Sequence, residues 1–211
     1  MAKRKEYIKM SNIIEFEEVD NLQNVLRIGG ISLLPKDMEW PVNPNGEKMT
    51  LILSIPTNFL NDILNYNYPK DKIISVFTTY NTEDYFLDSI VYHGDREELN
   101  NIKKGFTKVI LHDIGEPRND SEYLIPAQKL IVGNEVDVTS KYGGSLIGGN
   151  PFFLQNEDLE IASYQFCMQL YGADFPEEFQ DIFYLNDSIG YLYLNKETDI
   201  NDIGIFFTQC S

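Results

Sequence analysis

The chain has two cysteines, two histidines and one tryptophan. Cys167 and Cys210 form no CxxC and stand in apolar or aromatic surroundings. A disulfide framework or a cysteine-built zinc site is therefore excluded by count. Two reduced, buried thiols in a cytoplasmic protein are the expectation, with one bridge between them as the alternative. A metal centre needs convergent His, Cys or carboxylates, and His93 and His112 read as separate strand-end residues without a short-range pair. No metal and no cofactor is expected. No apolar run approaches the ~20 residues of a membrane span, and the basic start Met1–Glu6 is followed by no apolar segment of a secretory signal. Basic residues are also scarce, with 17 Lys and Arg against 33 Asp and Glu, a formal charge of -16. Such a field repels phosphate backbones and anionic membrane surfaces and attracts a basic protein partner, such as a toxin.

What is abundant is core material. Apolar residues make up 43% of the chain and aromatics 13%, which argues for a folded domain rather than disorder. Alternation at every second residue outweighs helical spacing. It predicts strands over 14–19, 50–55, 73–80, 85–92, 106–111, 163–170, 189–194 and 203–208. Short helices are expected after a Thr57-Asn58 cap, from Asp95 to Lys104 with Gly105 as the stop, and near Glu177 to Ile182. The stretch Asp113 to Ser121 reads as a loop.

Two glycine-proline signatures organise this pattern. The first is Ile28-Gly29-Gly30 leading to Pro35 and Trp40-Pro41; the second is Ile147-Gly148-Gly149 leading to Pro151. Each precedes a strand, a short helical turn and two more strands. Paired glycines before extended chain suit positive φ or close backbone approach, whereas a phosphate cradle opens a helix. The expected fold is α+β and β-rich, with mostly antiparallel sheets. Two similar strand-rich units, about 10–112 and 122–211, are duplicated within a single domain on one core.

The stretches "RIGGISLLPKDMEWPVNPNGEKMTLILSI", "IGGNPFFLQ", "SYQFCMQL", "NDSIGYLYL" and "DIGIFFTQCS" resemble the YwqG-like proteins, a bacterial family of unknown function, over roughly residues 10 to 211. The resemblance implies a duplicated, mostly antiparallel α+β fold and brings no established catalytic residues. Some members of that family appear beside toxin genes. Family members often carry Gln where this chain has Ser54, while the second half keeps Gln169.

No catalytic constellation stands out. Cys167 reads as a small core residue in mid-strand, although His112-Asp113 offers it a base if the fold brings them together. Asp187 is the carboxylate of first interest and also an ordinary turn residue. Trp40 reads as a partner anchor or a core cover, and Gln155 and Gln169 as polar groups near a seam between the units. The leading expectation is a non-catalytic protein-binding module, in concrete form an immunity protein neutralising a basic toxin. The alternatives are a small-ligand binder or enzyme using a cleft between the repeats, and a scaffold offering a sheet edge to a peptide.

Overall fold

β-branched and aromatic side chains recur at alternate positions, and each such run finds an antiparallel neighbour. The computed structural model describes residues 10–20, 24–136, 143–155, 159, 161, 163–195 and 203–210. The basic start of the chain and most of the loop 195–202 lie outside the described residues. The strands are β1 (Ser11–Glu18), β2 (Arg27–Ile28), β3 (Thr50–Pro56), β4 (Lys72–Thr78), β5 (Thr107–Asp113), β6 (Gln128–Val136), β7 (Leu146–Ile147), β8 (Gln165–Tyr171), β9 (Ile189–Leu194) and β10 (Gly204–Gln209). Three short helices accompany them: α1 (Thr57–Ile63), α2 (Leu87–Ile90) and α3 (Arg96–Asn101).

All ten strands form one sheet in the order β10-β9-β8-β7-β1-β6-β2-β3-β4-β5. Nine ladders join them, every one antiparallel. Nine reversals leave the terminal strands β5 and β10 running in opposite directions. They approach each other where Thr107 Oγ1 donates to the Phe206 carbonyl at 2.6 Å. The sheet is thereby a nearly closed, barrel-like wall. The order also has a regularity: when each of β1–β5 is exchanged with the strand five places later, it reads identically in reverse. At its centre β1 lies between β7 and β6, and β6 lies between β1 and β2.

The paired glycines follow the two-residue strands. Gly29, Gly30, Gly148 and Gly149 all have positive φ, at 57, 75, 69 and 62°. Gly29 N donates to Ile52 O at 3.1 Å and Gly148 N to Cys167 O at 2.9 Å. Ile52 and Cys167 are each skipped by the register of the neighbouring ladder, the mark of a bulge. At Gly29 a Cβ would stand 2.5 Å from Ile125 O, so a side chain is excluded.

Alternation sends successive side chains to opposite faces. Val76, Leu192 and Phe206 join the largest buried cluster, which draws on both halves and includes Ile28, Leu53, Cys167 and Met168. Their neighbours Phe77, Tyr191 and Phe207 point the other way, into two smaller clusters under chain that crosses the outside of the sheet.

Local readings fail where context overrides alternation. The 85–92 stretch is not a strand: Phe86 and Ile90, four residues apart, are buried while Tyr85 and Asp88 are exposed, which is helical spacing and gives α2. Thr57 does not cap α1. Pro56 holds that position, and Thr57 Oγ1 donates to Pro69 O at 2.7 Å. The helix expected over 177–182 is a short 3₁₀ turn, Glu177–Phe179. Only His112 lies in a strand. His93 sits in the loop before α3, its N–H donating to Glu98 Oε2 at 2.6 Å.

Candidate functional site

The outer faces of the two halves carry side chains in matching register. Ser54 pairs with Ser75, and His112 lies diagonally from Ser75 across β5. In the second half Gln169 pairs with Tyr191, and Gln209 occupies the diagonal position across β10. There the three side chains hold the covering segment 152–155. Gln169 Oε1 accepts from Phe152 N at 2.8 Å, Tyr191 OH donates to Phe152 O at 2.9 Å, and Gln209 Oε1 accepts from Gln155 N at 3.2 Å. Gln169 Nε2 donates to Gly144 O, so both ends of this fully buried amide are engaged by backbone. Gln169 is thus a peg inside the wall.

In the first half the same positions hold a different pair. His112 Nε2 lies 2.8 Å from Ser75 Oγ, and Nδ1 lies 2.7 Å from the Asp113 carbonyl. A carbonyl only accepts, so Nδ1 carries the proton and Nε2 accepts from the serine. Burial pushes the His112 pKa below its ordinary value, which favours the neutral ring. The arrangement matches a nucleophile and its base, yet Ser75 is 1% and His112 3% exposed. A substrate has no open approach to it. Cys167, which the sequence offered as a partner for His112, is fully buried in the main core with Tyr66, and burial pushes its thiol up.

Trp40 is a core cover. Its Nε1 donates to Met49 O at 2.9 Å, its ring meets Phe77 edge-on at 5.3 Å, and Arg118 lies over it at 5.4 Å. Arg118 Nη1 in turn donates to the carbonyls of Pro35 and Met38 and fixes the covering segment. Arg27 is fully buried and donates to the carbonyls of Gly29 and Ile31, which braces the first glycine pair; burial lowers its pKa to about 10.

Exposed features gather at the barrel end where β4, β8 and β10 finish and β5, β6 and β9 begin. Tyr85 is 58% exposed and meets Tyr184 edge-on at 5.0 Å, with Leu185 also exposed alongside Tyr184. Tyr85 OH donates to Asp88 Oδ1 at 2.5 Å, and this bond is the main reason its pKa is pushed up to about 12. Tyr80 OH donates to Asp181 Oδ1 at 2.7 Å on the same rim. Burial raises the Cys210 thiol, and the carboxylates of Asp187, Asp88 and Glu98 raise it further. Gln155 Nε2 donates to the Cys210 carbonyl. The structure therefore brings Asp187 and Gln155 near Cys210, and leaves Trp40 in the covering segment and Gln169 in the wall.

The second exposed feature is a groove of about 680 Å³ along the seam between β5 and β10. Lys103, Lys104 and Lys108 line it, with Val109, Tyr164 and Ile205 as its apolar part. Among the described residues no group of three or more His, Cys, Asp or Glu is placed to hold a metal ion. No helix there is long and apolar enough to cross a membrane.

A family described as a domain of unknown function, DUF1963, matches residues 27–199, most of the chain. The chain belongs to the DUF1963 family. No curated protein matches it. The DUF1963 match begins at the buried Arg27 and takes in both glycine pairs, Tyr85, Tyr184, Asp187 and the three groove lysines; Gln209 and Cys210 lie beyond it. Sequence reasoning missed Tyr85 because its run was assigned to a strand. It missed the lysines because Lys103 and Lys104 read only as a favourable helix end. Their signal was three lysines within six residues, with no acidic residue among them, in a strongly acidic chain.

Proposed function

We propose that this DUF1963 domain is a non-catalytic protein-binding module for a basic protein, acting in the cytoplasm as an immunity protein that neutralises a toxin. The observation that carries the reading is the patch of exposed Tyr85 and Leu185 around half-buried Tyr184, with Asp88, Asp181 and Asp187 nearby, in a chain of charge -16. Aromatic anchors supply desolvated contact at the centre of an interface, and the surrounding carboxylates speed encounter with a cationic partner and fix its orientation. The two free cysteines, Cys167 and Cys210, support a reducing compartment. We also infer a YwqG-like member built by duplication of a five-strand unit. The reversed strand order, the matching glycine pairs and the bulges at Ile52 and Cys167 support it.

Co-expression with the product of the neighbouring gene tests the function. Co-purification and rescue from that product's toxicity are expected, and Tyr85→Ala with Asp88→Lys and Asp187→Lys should abolish both while the variant still unfolds in one cooperative transition. Absence of any complex or rescue with the native chain would overturn the reading.

A further inference from the structure

The seam groove has the opposite electrical character from the rest of the molecule. Lys103, Lys104 and Lys108 line it, and no carboxylate stands among its described lining residues, although the chain carries 33 Asp and Glu. No ion pair among the described residues engages any of the three lysines. Gly105, with φ 107°, lets Lys108 fold back along the wall: a Cβ at Gly105 would stand 3.0 Å from Lys108 Cε.

The backbone beside the lysines is also unfinished. β5 pairs with β4 along its whole length, from Thr107 to Asp113. No ladder among the described residues occupies its other edge. The seam is tied at one end by the Thr107–Phe206 bond, and chain at Val91 and Tyr92 covers β10 at Thr208. Beyond the Thr107–Phe206 tie, on the side away from Thr208, the outward N–H and C=O groups of Lys108–Ile110 are a template for a further strand. Thr107–Ile110 spans about 13 Å at ~3.3 Å per residue, room for four residues of an extended partner.

We propose that this groove binds an extended acidic peptide segment, which adds as a strand to the β5 edge. Its carboxylates meet Lys103, Lys104 and Lys108 on the outer face, and its alternate apolar side chains turn to the other face, against Val109 and Phe206. The net negative charge of the chain does not forbid this. At physiological ionic strength the screening length is about 8 Å, so the adjacent lysines outweigh carboxylates farther away. The proposal is independent of the basic partner above, since it uses a different surface and the opposite ligand charge.

The probe is a fluorescein-labelled, end-capped octapeptide alternating glutamate and valine, titrated by anisotropy against the full chain at about 0.15 M salt. Saturable binding is expected, with slowed hydrogen exchange at the Lys108–Ile110 amides. The Lys103→Glu, Lys104→Glu, Lys108→Glu variant should bind about 30-fold more weakly or worse. An octapeptide N-methylated at alternate residues, on the edge that faces β5, should lose binding similarly. That comparison uses the native chain, so it decides the matter even if the triple variant fails to fold. Three results would overturn the proposal: equal affinity for the methylated peptide, which means simple ion attraction; competition by inorganic phosphate with no protection of β5 amides; or no peptide binding while the triple variant self-associates, which means that the lysines only guard a sheet edge.

Discussion

Replacing Gly29 with alanine sets a Cβ 2.5 Å from Ile125 O and asks an L residue to hold φ 57°. The expected loss is about 2–4 kcal/mol, seen as a lower urea midpoint at unchanged slope. A change below about 0.5 kcal/mol would mean that the glycine pair is not a constrained crossing. His112 makes a second residue-scale prediction. Its folded pKa lies below the ordinary 6.5 because burial favours the neutral ring. The unfolded chain therefore takes up a proton first as pH falls. The stabilisation is complete above pH 6.5 and declines as pH drops toward the folded value. Melting temperature should fall from about pH 7 to pH 5.5, and His112→Gln should flatten that part of the curve. Thiol labelling gives a third test. Cys167 is fully buried and raised in pKa, whereas Cys210 is partly exposed. Iodoacetamide should modify Cys210 first in the native protein, with Cys167 reacting only in denaturant. Equal native labelling would contradict the packing around Cys167.

At the scale of elements, α3 hangs on one cap. Asp95 accepts from Glu97 N at 2.7 Å and Glu98 N at 3.4 Å, and Glu98 in turn holds His93. Asp95→Ala should cost about 1 kcal/mol in chemical denaturation. It should also loosen the approach to the lysine-bearing turn that follows. Elements of this kind were legible in the sequence because their signals are local. The Asp95 cap, the Gly105 stop and the Ile189–Leu194 alternation each sit within a few residues. β6 was not legible. Its Gln128–Val136 run is interrupted by Gly133 and gains its strand state from pairing with β1, more than a hundred residues away. β2 and β7 have two residues each, too few to show any period. Tyr85–Tyr92 offered the wrong period because aromatic content outweighed the spacing of Phe86 and Ile90.

Over the whole molecule, a charge of -16 makes self-repulsion a measurable part of stability. Raising sodium chloride from about 10 mM to about 300 mM should raise the melting temperature, because the screening length falls from ~30 Å to below 8 Å. A flat or falling profile would show that local ion pairs such as Lys72–Asp113 matter more. The acidity was legible in composition, but its placement was not. The groove joins described residues between 102 and 110 to Ile161, Ser163 and Tyr164 and to Gly204–Phe206, and the aromatic patch joins Tyr85 to Tyr184. Only sheet topology makes those stretches neighbours. The sheet order has one further consequence, for synthesis. Both partners of β1, β6 and β7, lie at residue 128 or later. During synthesis β1 therefore waits, unpaired, while more than a hundred further residues leave the ribosome.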